Sequence, residues 1–222
     1  MEDFLDRERW KRAESLLRAL PENLDLADLE YRAGSCWLEL AELDGASQRF
    51  GRARDRFRRA FILDPTFADA AYWRGVCAFE LGGDAEAIEA WRSTRALDLN
   101  AKRPSWSLSL DEFESEVESA LAELPDRARE LLRDIPIFHE EYPDEELLLD
   151  GQDPRVLGLF VGEPFQDQGF LSLQSIHLYE RNIERECESR AELREEIRIT
   201  LIHETGHFFG LEEDELHAIG LG

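Results

Sequence analysis

A 34-residue self-similarity in the first half of the chain limits what it can fold into. Ala53, Phe57, Ala60, Leu63, Asp64 and Pro65 are answered by Ala87, Trp91, Thr94, Leu97, Asp98 and Leu99, each 34 positions later. The apolar members recur at steps of three and four, so each copy reads as an amphipathic helix. A helix of that kind cannot bury its stripe alone, and the period leaves room for a second helix and a turn, which predicts stacked helix pairs. Gly75 and Ala78 supply small residues for close helix contact, and Gly82-Gly83 supplies the turn within the second pair. Gly34 and Trp37 are the matching positions of the earlier pair, followed by an insertion of about seven residues through Asp44-Gly45. Trp10 through Leu20, ending at Pro21, reads as a leading helix that caps the stack.

This half resembles the tetratricopeptide repeats, which share the period. The resemblance implies a concave surface that recruits an extended peptide or a partner's tail; the plainer alternative is a rigid spacer. Two pairs are fewer than the usual three, so the following domain is expected to cap the array. Trp73, Phe79 and Trp91 stand at helical spacing and are expected in the core. Arg49, Arg52, Arg54, Arg56, Arg58 and Arg59 form a basic run, read as a solvated helix face in preference to a docking face for an acidic partner.

Ala101-Lys102-Arg103-Pro104-Ser105 breaks the period, so the expected division is a helical repeat domain over 1–104 and a second domain over 105–222. The net charge of −24 is uneven: residues 1–100 hold 20 acids and 15 bases, residues 101–222 hold 30 and 11, giving −5 and −19. The acidic second half disfavours nucleic acid and anionic membranes as partners and favours cationic peptides, with solubility as the alternative account. No stretch approaches a membrane span, and the charged N-terminus has no apolar core or cleavage site, so the expected location is cytoplasmic. Cys36, Cys77 and Cys187 form no CxxC pair and are expected as reduced thiols.

Beyond the boundary, Ser109-Leu110-Asp111-Glu112 is a capping box, and Phe113, Val117, Leu121 and Leu124 form one stripe before Pro125. A short helix over 126–132 follows, then strands over 135–138, 156–161 and 175–179, with a Gly-, Pro- and Gln-containing loop over 162–170. Ser189-Arg190-Ala191-Glu192 opens a helix through Leu193, Ile197 and Leu201.

That helix runs into His203-Glu204-Thr205-Gly206-His207-Phe208-Phe209-Gly210-Leu211-Glu212-Glu213. His203 and His207 lie one helical turn apart on one face, so both imidazoles can reach a single metal ion. Glu204 beside them is placed to take a proton from water and pass it to a leaving amine. Catalytic zinc takes three protein ligands and keeps one position open. Gly210 can end the helix in a left-handed turn, and Glu213 falls where the third histidine stands in the HExxHxxGxxH pattern. Glu212, Asp214, Glu215 and His217 compete for that role. Only nine residues follow Glu213, so a ligand from a distant downstream helix is not expected. His177, Tyr179 and Arg198 are candidate oxyanion donors by type, while His139 reads as structural.

Residues 107–222 are similar to the small bacterial zincin-like metallopeptidases, also described as minimal metzincin-like domains. The similarity is carried by SLDEFESEVESALAELP, VLGLFVGEP, IHLYERNIE and ELREEIRITLIHETGHFFGLEEDEL. It implies a zinc-dependent peptidase fold. Members of that family usually carry aspartate at the position of Glu213, and the only methionine here is Met1, so the methionine turn of larger metzincins is absent.

The expected architecture is multi-domain: all-α tetratricopeptide-like helical repeats followed by a small α+β zincin-like domain. The expected activity is zinc-dependent (Zn2+) peptide hydrolysis on a protein or peptide substrate. His203, His207 and Glu213 hold the metal, Glu204 is the general base, and the repeats recruit substrate or a partner. The alternatives are a repeat-based adaptor with a catalytically silent metal domain, and a peptidase confined to its own precursor or one dedicated partner.

Overall fold

The computed structural model describes residues 25–162 and 174–218, with the side chains of Asp44, Glu213, His217 and Ala218 left aside. The leading helix expected over 10–20 lies outside the described residues, as does most of the 162–170 loop. The chain forms two compact units that divide between Ala87 and Ile88.

The first unit contains α1 (Leu26–Asp44), α2 (Ser47–Leu63) and α3 (Ala68–Glu80), and α4 (Asp84–Asp98) begins in it. Asp25 caps α1 by accepting from the amides of Ala27 and Asp28, and Gly45, at φ 65°, ends that helix in the left-handed region. The insertion expected near Asp44 therefore adds helix, not loop: α1 has 19 residues against 13 in α3. Trp37, Leu38, Ala53, Phe57 and Cys77 form the core of this unit. A side chain at Gly34 would meet the Phe57 ring at 2.8 Å, so the small residue permits the close approach of α1 and α2.

Three of the pairs 34 residues apart are alike in burial, with Ala53, Phe57 and Ala60 matched by Ala87, Trp91 and Thr94, whereas Asp98 is buried and Asp64 only partly so. Helices occupy most of residues 26–98. Phe79, expected in the core, is instead 45% exposed at the end of α3. The arginine run of α2 is partly engaged: Arg56 pairs with Glu30 at 2.8 Å, and Arg52 lies 4.6 Å over the Trp37 ring.

The second unit is built on a three-stranded sheet of β1 (Ile137–Glu140), β2 (Gly158–Val161) and β3 (Ser175–Tyr179), in the order β1-β3-β2. β1 runs parallel to β3 and β2 antiparallel to it. Around it stand α5 (Leu110–Glu123), α6 (Asp126–Leu132), α7 (Glu145–Leu149), α8 (Glu180–Arg185), α9 (Arg190–Phe208) and α10 (Glu213–Ala218). The capping box of Ser109 and Glu112 is formed, and Phe113 and Val117 pack with Ile176, Leu178, Ile197 and Leu201 in the core. Strand β1 begins two residues after the expected start, because the Ile135 amide closes a turn onto the Leu132 carbonyl at 3.0 Å. Among the described residues no helix is long and apolar enough to cross a membrane.

Residues 98–107 are fastened within this second unit by buried charge. Asp98, 3% exposed, accepts from Arg155 at 3.1 and 3.3 Å and pairs with Arg185 at 2.5 Å. Its carbonyl accepts from the Tyr142 hydroxyl at 2.7 Å. Arg103 and Ser107 both donate to buried Glu184, at 2.8 and 2.6 Å. A break in periodicity marks where the repeat pattern ends, whereas these contacts decide which unit a segment packs with. D98A leaves Arg155 without its carboxylate, and urea unfolding is expected to show a loss of about 3–5 kcal/mol.

Candidate metal centre

Helix α9 presents two faces. Leu193, Ile197, Leu201 and Phe208 enter the core. Glu196, Thr200, His203, Glu204 and His207 line a cleft of ≈ 600 Å³, whose other wall includes Val156 to Phe160 on and just before β2. Ser189 caps the helix by accepting from the Glu192 amide at 3.3 Å, while the Glu192 carboxylate accepts from the Glu188 amide at 2.7 Å.

The C-terminal end of α9 is set by its glycines. Gly210 takes φ 83°; its amide donates to the His207 carbonyl at 2.9 Å, and the Leu211 amide donates to the Gly206 carbonyl at 3.0 Å. This is a Schellman stop. It brings the Leu211 carbonyl to 3.0 Å from His207 Nδ1. With Nδ1–H donating there, Nε2 carries the lone pair that a metal requires.

That Nε2 stands 3.0 Å from Nε2 of His203, with the two rings at 77°. Two nitrogens bound tetrahedrally at about 2.0–2.1 Å from zinc lie about 3.3 Å apart. The pair therefore fits two ligands of one ion.

Glu204 is 6% exposed and lies against β2, where a Cβ at Gly158 would come within 2.8 Å of both its Cγ and Oε1. Gly158 is thus the space that the carboxylate occupies. Gly206 plays the same part on the far side of the helix, since a Cβ there would meet Leu216 Cδ2 at 2.5 Å. Leu216 is fully buried and seats α10 against α9.

Of the residues offered for a third ligand, Glu213 opens α10, and its side chain and that of His217 lie outside the described ones. Glu212 lines the cleft. Glu215 is committed to capping, its carboxylate accepting from the Glu212 amide at 3.0 Å, and Asp214 is exposed. Among the described residues no three His, Cys, Asp or Glu side chains stand together as a metal-binding group.

None of His177, Tyr179 and Arg198 lines the cleft. His177 sits among Ser175, Glu140 and Phe138 on the sheet face away from Ile176 and Leu178. Tyr179 is fully buried, which pushes its phenol well above the ordinary range. Arg198 pairs with Glu195 at 2.5 Å. His139 lies between Glu114 at 3.1 Å and buried Glu180 at 3.5 Å, a structural setting.

Sequence reasoning passed over Gly158, Thr200, Glu196 and the Leu211 carbonyl. Gly158 had a signal, because a glycine inside a strand pattern marks close approach. Strand β2 also offers backbone groups. The Tyr179 amide donates to the Leu157 carbonyl at 2.9 Å, so in the antiparallel register Gly158 and Phe160 turn their amides and carbonyls away from β3. G206A forces its methyl group into Leu216 and is expected to lower stability by about 1–3 kcal/mol in urea denaturation.

Residues 132–222, which include the whole cleft, match the family model of the zincin-like metallopeptidases. The match starts after α5, later than the similarity that begins at residue 107. No curated protein matches the chain.

Proposed function

We propose that the chain is a zinc-dependent metallopeptidase that hydrolyses peptide bonds, with His203, His207 and Glu213 holding the metal and Glu204 as general base. The observation that carries this reading is the pair of imidazole nitrogens 3.0 Å apart on the wall of a cleft, with a buried carboxylate on the next residue. The family match over 132–222 supports it. When bound, zinc supplies a Lewis acid that polarises a substrate carbonyl and makes water nucleophilic near neutral pH.

The protein's own groups do the rest. A Glu204 carboxylate oxygen accepts the proton of the attacking water and returns it to the leaving nitrogen as the C–N bond breaks. The outward amides and carbonyls of Gly158 and Phe160 can hold an extended peptide along the edge of β2. The Leu211 carbonyl keeps the His207 proton on Nδ1. Glu213 is assigned as third ligand by its spacing from His207, and Glu212 is the competitor from the cleft wall. The helical unit, with its tetratricopeptide-like period, recruits substrate or a partner.

The alternative, an adaptor with a silent metal domain, is separated by one experiment. Metal content is measured by mass spectrometry on wild type and on H203A, E212Q, E213Q and E204Q, with casein cleavage alongside. One zinc per chain is expected in wild type, lost in H203A and E213Q and kept in E212Q. E204Q keeps zinc and loses cleavage by about 10²–10⁴-fold, the range for a general base. G158A is expected to follow E204Q, because its methyl group displaces the carboxylate. Stoichiometric zinc with no cleavage in wild type supports the adaptor, and zinc lost in E212Q but kept in E213Q moves the third ligand to Glu212.

A further inference from the structure

The cations of α9 are all engaged. Arg190 pairs with Glu112 at 2.5 Å, Arg194 with Glu116 at 2.6 Å and Arg198 with Glu195 at 2.5 Å. Glu196 is the carboxylate they leave over. It is half-buried in the wall of the cleft, and no described residue gives it a hydrogen bond or an ion pair. Burial first, and then the like charges of Glu186 and Glu195, hold its carboxyl above the usual carboxylate range.

One turn further along the same face is Thr200, 4% exposed and also on the cleft wall. Its hydroxyl is buried and has no hydrogen-bond partner among the described residues. A buried hydroxyl without a partner costs free energy, so it marks a position where a polar group is wanted.

We propose that Glu196 and Thr200 form a subsite for a lysine or arginine side chain of the substrate, at one end of the cleft that His203 and His207 occupy. A carboxylate and a hydroxyl both accept hydrogen bonds, and the residues that only donate and carry the compensating charge are lysine and arginine. The net charge of −19 over residues 101–222 attracts such a chain from a distance, and Glu196 gives the attraction a fixed address. Seven residues separate Glu196 from His203, about 10 Å along a helix. An extended peptide advances about 3.3 Å per residue, so the selected side chain lies about three residues from the bond held over the histidines.

The proposal names the substrate class of the peptidase reading and rests on it for the peptide. Its test has a binding arm and a cleavage arm. Fluorescein-labelled alanine-based decapeptides carry one lysine, or one norleucine of similar length, walked along the sequence. Binding is read by anisotropy on the zinc-loaded E204Q chain, and cleavage sites are read by mass spectrometry on zinc-loaded wild type. The lysine peptides are expected to bind about tenfold tighter than their norleucine counterparts, as for a partly desolvated charge contact. In E204Q/E196Q and E204Q/T200V the two series converge, and raising salt from 50 to 500 mM closes most of the gap in the E204Q chain.

In wild type the cuts are expected to cluster at one fixed spacing of about three residues from lysine. Equal binding of the two series to the E204Q chain, or a lysine preference that survives E196Q, overturns the subsite whatever the cleavage result. A lysine preference in binding that E196Q abolishes, with no cleavage of any peptide, upholds the subsite and removes the peptidase reading instead.

Discussion

Helix α9 can approach the edge of the sheet closely because position 158 has no side chain, and much of the centre follows from that approach. With Glu204 pressed against β2, the rotation of the helix is fixed. Residues advance by about 100° each, so His203 and His207 then face the cleft while Leu193, Ile197 and Leu201 face the core. Gly206 fixes the same rotation from the other side by admitting Leu216. Two absent side chains thus set the phase of the helix that carries His203, Glu204 and His207.

The motif was legible because its information is local. Helical spacing alone brings His203 and His207 together, and the left-handed turn at Gly210 was legible for the same reason. The capping box at Ser109 and the stripe of Phe113 and Val117 were equally readable. What could not be read depends on partners distant in sequence. Strand order β1-β3-β2 is a matter of pairing between separate segments, 39 residues apart for Ile137 and Ile176 and 20 apart for Gly158 and Leu178, and short strands carry no signal of their neighbours. Likewise, that Glu196 has no ion-pair partner among the described residues follows from the commitments of Arg190, Arg194 and Arg198, two of them to residues on α5.

Asp64 and Asp98, 34 positions apart in the self-similar stretch, take different roles. Asp64 accepts from the amide and hydroxyl of Thr66, at 2.9 and 2.6 Å, and closes a local turn with its carboxyl held below the usual range by those bonds. Asp98, 34 residues on, is buried and faces Arg155 and Arg185. The first contact is local, and the second lies wholly within the sheet-bearing unit, in keeping with a division at Ala87–Ile88, ahead of the break in periodicity.

The hydrogen bond between His207 and the Leu211 carbonyl ties a donor atom to a backbone stop signal. In many metal sites a carboxylate orients the imidazole and makes it more basic. Here a neutral carbonyl does the orienting, and it stays in place only while the Gly210 turn is wound and Leu216 remains seated. The tautomer of His207 is therefore a property of the last turn of the helix. In the proposed metal site, fraying of that turn and release of the ion would be two faces of one equilibrium, so metal binding would favour the wound turn.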